Sequence, residues 1–398
     1  MPARRRRPVP QRRHLRGSGR ALAQERSRFR HQLWLRSDRA SRETCQDLQS
    51  GTPEVVAGRS SRSQLEGQSL DRQASVRFVP VGELVHHSKG QDMGNLVVDP
   101  GKDDVLVEEL AGPAASLFNR HLSASKEWYP FEDVPWDNAA DFEEERWNAG
   151  QYPLSQGVQS AIIVNVLTED NLPYYTHTLM SPIKPDHPLR EWSRRWTAEE
   201  WRHSAAIRDW ILATRAIDPY RLEDDRMVQM SKGQVPQSDS VAEMIAYVSF
   251  QELATQVAHR NTGQALDKTM RGKKIMSKVA GDEGLHHAFY RDLVLAALQI
   301  DPSTMVMAIQ SELRKFKMPG TGIPGFTEHE EAIALAGIFG AQQFVEAVVR
   351  PTLSYWGIFG LEGLSSEANE AREKIGRNIA GLTRLAAAQQ ARIAALQA

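Results

Sequence analysis

One cysteine, Cys45, in 398 residues has nothing to pair with inside the chain, which excludes an intramolecular disulfide and a cysteine metal site. Long apolar runs are missing as well. Ala161 to Val164 is typical of them, against the roughly 20 residues that a membrane-spanning helix needs. The arginines near the N-terminus are followed by no apolar stretch, which argues against a secretory signal. No segment alternates apolar and polar residues over a strand's length. These absences point to a soluble, cytoplasmic, all-α protein.

Charge of one sign is also lacking overall, the formal net charge being −1, but the chain is divided. Met1 to Asp92 hold 18 Arg, 1 Lys and 9 acidic residues, whereas Met93 to Ala398 hold 30 basic and 41 acidic ones. Residues 1–92 show no periodicity and bury too little apolar surface to offset their ordering entropy, so they are expected to be a disordered, Arg-rich extension. Only Phe29, Trp34 and Phe78 interleave the arginines, too few to support a nucleic-acid-binding arm, and nine acidic residues count against a transit peptide. The favoured reading is an upstream start assignment, with a folded domain over residues 93–398.

From Val105 onward the pattern is helical. Val105, Leu106, Leu110, Leu117 and Leu122 suggest a first amphipathic helix, followed by a loop from Trp128 to Trp136. Four long helices are predicted at about 155–180, 190–215, 239–262 and 270–299, with further helices beyond a Pro- and Gly-containing break at Met318 to Phe326.

Three Glu-x-x-His motifs occur: Glu83/His86, Glu200/His203 and Glu283/His286. The first lies in the basic extension and is set aside. The other two belong to a repeat, because their glutamates and their histidines are each 83 residues apart. A step of 31 residues back from each glutamate reaches Glu169 and Glu252, again 83 apart, and the preceding acids Glu199 and Asp282 also match.

Residues three apart share a helix face, so each motif presents two ligands inward. A spacing of 31 fits an antiparallel hairpin that brings both glutamates to one height. Four helices thereby place four carboxylates and two imidazoles at one level, the ligand set of a ferritin-like di-iron bundle. Four buried carboxylates without cations would be costly, and two divalent irons balance them. Thr197 and Glu200 also fit a capping box. The pattern already running through Trp192 and Trp196, with the 83-residue duplicate, favours a ligand inside a helix. Pro173 removes the amide that would bond the Glu169 carbonyl and predicts a kink there.

At these residues the sequence resembles the soluble acyl-carrier-protein desaturases. The matching segments are TEDNLPYY from Thr168, WTAEEWRH from Trp196, YVSFQELAT from Tyr247, HRNTG from His259 and GDEGLHHAFYRD from Gly281. The resemblance implies two iron ions held by Glu169, Glu200, His203, Glu252, Glu283 and His286. It implies a place for Thr255 beside the oxygen-binding face and for Asp282 behind a ligating histidine. Trp128 is then either a core anchor or part of an electron route. Trp201, Gly284 and Leu285 depart from the family's usual residues without touching a ligand position.

The implied activity is oxygen-dependent desaturation of a saturated acyl chain carried on acyl-carrier protein. A ferredoxin-like donor reduces the irons, and the enzyme is a homodimer without nucleic acid or membrane span. The alternatives are a di-iron hydroxylase or N-oxygenase, a ferritin-like iron-binding protein without turnover, and a catalytically silent family member, which the departures at Trp201, Gly284 and Leu285 allow. Arg271, Lys274 and Lys278 line up on one side of the fourth helix and are candidates for docking an acidic carrier, against a plain solvated face.

Overall fold

The computed structural model describes residues 100–266 and 270–397. Two short helices lead in, α1 (Pro100–Glu109) and α2 (Ala111–Ala124), followed by a single turn, α3 (Pro130–Asp133). Next come α4 (Gln156–Asp170), α5 (Leu172–Met180), α6 (Pro188–Thr214), α7 (Pro219–Lys232), α8 (Val241–Ala265) and α9 (Gly272–Ile300). The chain continues as α10 (Pro302–Lys315), α11 (Phe326–Leu335), α12 (Ala341–Gln343), a π-helical turn at Phe344–Val349, α13 (Arg350–Tyr355) and α14 (Ser366–Gln397). Among the described residues there is no strand, and no helix is long and apolar enough to cross a membrane.

Local chemistry sets the ends of the long helices. Pro188 opens α6 behind His187, whose ring accepts the Leu189 N–H, and the helix closes on Arg215 in the left-handed region. Ser240 caps α8 by accepting the Glu243 N–H, while the Glu243 carboxylate accepts the Asp239 N–H. Thr197 lies well inside α6 and bonds back to the Ser193 carbonyl, so it caps nothing and Glu200 is a mid-helix residue. The helix expected over 155–180 breaks at Asn171, two residues after Glu169, and Pro173 stands in the first turn of α5. The first amphipathic helix is two helices joined at Leu110. Leu106 and Leu110 are buried, but Val105 and Leu122 point to solvent.

Helices α4, α6, α8 and α9 pack as a ferritin-like four-helix bundle, with α2 and α3 laid over the α6–α9 groove. Helices α8 and α9 run antiparallel: Ser249 meets His287 near one end and Gly263 meets Met276 near the other. Apolar layers fill the bundle on both sides of one polar layer. On α6, Trp192 and Trp196 lie before Glu200 and His203, with Ile207 and Trp210 after them. On α9 the order is Ile275 and Val279, then Glu283 and His286, then Phe289 and Leu293. The polar layer is thus walled off from water at both ends.

Candidate metal centre

Each bundle helix contributes to that layer. Glu169 comes from α4, Glu200 and His203 from α6, Glu252 from α8, and Glu283 and His286 from α9. None of the six is more than 7% exposed. All the positions singled out by the 83-residue repeat are therefore brought together. The Glu83/His86 pair lies outside the described residues.

The six side chains form two overlapping groups. Glu169, Glu200, His203 and Glu283 each offer an atom within 4.8 Å of the others, and so do Glu200, Glu252, Glu283 and His286. Glu200 and Glu283 belong to both. His203 Nδ1 lies 3.4 Å from Glu200 Oε2 and 3.5 Å from Glu283 Oε1. His286 Nδ1 lies 2.8 Å from Glu200 Oε1 and 3.5 Å from Glu252 Oε2 and Glu283 Oε2.

These approaches are not hydrogen bonds. Glu200 Oε1, His203 Nδ1, Glu252 Oε2, Glu283 Oε2 and His286 Nδ1 are all buried without a hydrogen-bond partner among the described residues. Such atoms are costly unless something binds them. Their electrostatics point the same way. Burial and the charge of Glu200 push Glu169 up to about 8, while burial and Glu283 hold Glu252 well above the carboxylate range. Burial also acts to raise Glu283, but the His203, His259 and His286 rings that approach it closely leave it well below that range. Burial disfavours charge on His203 and His286, yet the surrounding carboxylates raise both well above the usual imidazole value. Protons thus offset part of the crowded negative charge. The residues fit two divalent cations, which would satisfy the orphaned atoms and carry that charge instead.

Behind each histidine stands an acid. Asp282 Oδ2 lies 3.2 Å from His203 Nε2 and accepts from Trp128 Nε1 at 2.9 Å and from Arg202 at 2.6 Å. The Trp128 ring stacks on His203 at 6.4 Å, so it is both a buried anchor and part of the bonded chain. Glu199 Oε2 lies 3.0 Å from His286 Nε2, and Trp196 Nε1 donates to Glu252 Oε1 at 3.0 Å. His259 Nε2 lies 3.1 Å from Glu169 Oε1 and is pushed up to about 9, burial notwithstanding, by Glu169 and Glu283.

Thr255 Oγ1 bonds back to the Glu252 carbonyl and stands on the wall of two cavities. The larger reaches from His259 and Thr255 to Phe326 and Phe339. The smaller touches Glu169 and Glu200 and runs to Leu179 and Met244. Thr168, Thr255 and Pro319 line both, so the two cavities adjoin beside the polar layer.

The basic stripe has an internal use. Lys274 and Lys278 both pair with Asp133, and Arg271 donates to the Glu132 carbonyl, pinning α3 beside Trp128. Trp201 is 70% exposed. A Cβ at Gly284 would lie 2.2 Å from Gln256 Nε2, so a larger residue there would have to displace that side chain.

Sequence reasoning gave no role to His121, Glu199, Arg202 or His259. For His259 a signal existed: it follows Glu252 by seven residues and so shares its helix face. His121 had none.

A buried four-carboxylate, two-histidine layer in a bundle of this kind defines the class, a ferritin-like protein with clustered Glu and His side chains able to hold metal ions. The sequence model of a fatty acid desaturase family matches residues 102–398, and the chain belongs to that family. DesA1 of Mycobacterium tuberculosis, named as an acyl-[acyl-carrier-protein] desaturase, is 35% identical over 281 residues, covering 68% of this chain and 83% of that protein. The chloroplastic palmitoyl-[acyl-carrier-protein] 4-desaturase of Coriandrum sativum is 27% identical, covering 68% and 76%. The X-ray structure of DesA2 from M. tuberculosis superposes with a TM-score of 0.54 at 24% identity, over 65% of this chain and 97% of that one. That likeness speaks for the fold.

Proposed function

We propose that the chain is an acyl-[acyl-carrier-protein] desaturase, taking two hydrogens from adjacent carbons of a saturated acyl chain. Glu169 and His203 would hold one iron, Glu252 and His286 the other, and Glu200 and Glu283 would be shared between them. The observation that carries this reading is the pair of overlapping ligand groups, orphaned and dry, beside an apolar cavity. Bound iron would supply the activation of dioxygen that oxidises the chain. In the overall balance, one dioxygen, two electrons and two protons take up the two hydrogens and leave two waters and an alkene.

The chain's own residues do the rest. The apolar layers exclude water from the polar one and keep its charges strong. Thr168, Thr255 and Pro319 form the wall past which the acyl chain would lie. Asp282 fixes the ring of His203, and with Trp128 it offers a bonded route from near the surface for electrons from a ferredoxin-like donor. We assign this activity to residues 93–398, acting in the cytoplasm as a homodimer, in keeping with the family resemblance and the single cysteine.

The test is product analysis with acyl-carrier-protein substrates, ferredoxin and oxygen. An alkene two mass units lighter, with no oxygen retained, is the expected result. An oxygenated product would make the chain a hydroxylase. Rapid iron release with no product would make it an iron-binding protein.

A further inference from the structure

His203 and His286 are supported by polar chains of the same design, and the outer member of the second, His121, has no role in the function proposed above. His203 leads to Asp282, and Asp282 is held by Trp128 and Arg202. His286 leads to Glu199, and Glu199 is held by His121 and Arg195. His121 Nε2 lies 2.9 Å from Glu199 Oε2, the same oxygen that lies 3.0 Å from His286 Nε2, while Arg195 Nε donates to Oε1 at 2.7 Å. The His121 ring stacks on His286 at 5.8 Å, as Trp128 stacks on His203 at 6.4 Å.

From this correspondence we propose that His121 is a positioning residue for His286, acting through Glu199. The proposal rests on the reading of the centre as a two-metal site. One carboxylate oxygen that accepts from two ring nitrogens needs a proton on each. The shared acceptor therefore keeps the proton on Nε2 of His286, so that Nδ1, which faces Glu200, Glu252 and Glu283, is the nitrogen that would bind a metal ion. His121 is itself fixed. It is 4% exposed, and the edge of Trp192 meets its ring at 4.9 Å and 83°. A residue needed only to fill this space would have no use for a nitrogen aimed at a buried carboxylate. The half-site of Glu252 and His286 is thus oriented from α2, outside the four-helix bundle.

The test uses the full chain freed of metal and titrated with Co²⁺, followed by visible absorbance and calorimetry, with Tm measured alongside. Wild type should take up two ions. His121→Leu fills the space without a donor and should keep one ion while weakening the other by about 10–100-fold. His121→Gln restores an N–H donor and should bring the second ion back toward wild-type affinity. Glu199→Gln, close in volume, should weaken the same ion and stands in for His121→Leu if that variant does not fold.

Wild-type affinities and an unchanged cobalt spectrum in His121→Leu would overturn the proposal and make His121 a packing residue. Equal losses in His121→Leu and His121→Gln would also overturn it, since the hydrogen bond would then not be the cause. A wild-type chain that takes up fewer than two ions would overturn the two-metal reading, and this proposal with it.

Discussion

Asp282 supports the ring of His203, 79 residues before it in the chain, and not that of its near neighbour His286. Glu199 supports His286 in the same crossed manner, across 87 residues. The acid that precedes each Glu-x-x-His motif therefore reaches over to the histidine of the other. This locks α6 to α9 through two carboxylates, so the height of one helix against the other is set by the same groups that orient the ligands.

Removing ligands should reveal the overlap of the two half-sites. Glu283 belongs to both ligand groups, so Glu283→Ala should lose both irons. Glu252 belongs to one, so Glu252→Ala should retain about one iron per chain. Metal analysis of the purified variants checks this, with Glu83→Ala as a control that keeps the full complement. Equal losses at Glu252 and Glu283 would count against a shared carboxylate.

Trp128→Phe keeps a ring against His203 but removes the N–H that Asp282 accepts. Iron content should stay near normal, because no ligand is touched. Reduction by ferredoxin, followed by stopped flow, should slow by about tenfold or more. An unchanged rate would place the electron route elsewhere.

The polar layer was legible because its side chains recur at fixed spacings within helices, and a helix converts spacing into direction. Glu169, Glu200, His203, Glu252, Glu283 and His286 all meet for that reason. The groups behind them were not legible. His121 reaches Glu199 across 78 residues, and no periodicity in the chain encodes that distance. Asp133 shows the same limit. It takes up Lys274 and Lys278 from more than a hundred residues away, so a stripe that reads as a free basic face is bonded within the chain. The larger cavity is likewise lined by Phe326, Ile333 and Phe339, from segments remote in sequence from α4 and α8.

Gly157 marks where α4 and α11 approach too closely for a side chain. A Cβ there would lie 2.3 Å from the Ala336 Cβ and 2.7 Å from the Ala332 carbonyl oxygen. Gly157→Val should therefore force the helices apart and destabilise the fold by about 1–3 kcal/mol, read from denaturant unfolding. Because α11 also lines the larger cavity, the same variant should change its shape and the preferred acyl length. A variant with wild-type stability would mean that α11 shifts freely.

A chain starting at Met93 should keep the Tm and iron content of the full chain. The family match begins at residue 102, and every metal-layer residue lies beyond it. Loss of either property would give the first 92 residues a structural role.

Glu312 should make stability depend on pH in a direction unusual for a carboxylate. It is buried on α10 beside Glu243 and Lys315. Burial is the main cause that pushes it from the usual 4.5 up to about 8; the Lys315 charge works against the rise and that of Glu243 adds to it. Between those two values the folded chain holds a proton that the unfolded chain has released. Stability then falls as pH rises through this window, and the loss is complete above about 8. Glu312→Gln removes the titrating group and keeps the shape, and Lys315 still has Glu243 at 2.7 Å. The variant should match wild type near pH 4.5 and exceed its Tm by a growing margin toward pH 8.5, a comparison that thermal unfolding at several pH values can make. A margin that does not change with pH would mean that Glu312 stays charged in the fold and that Lys315 neutralises it.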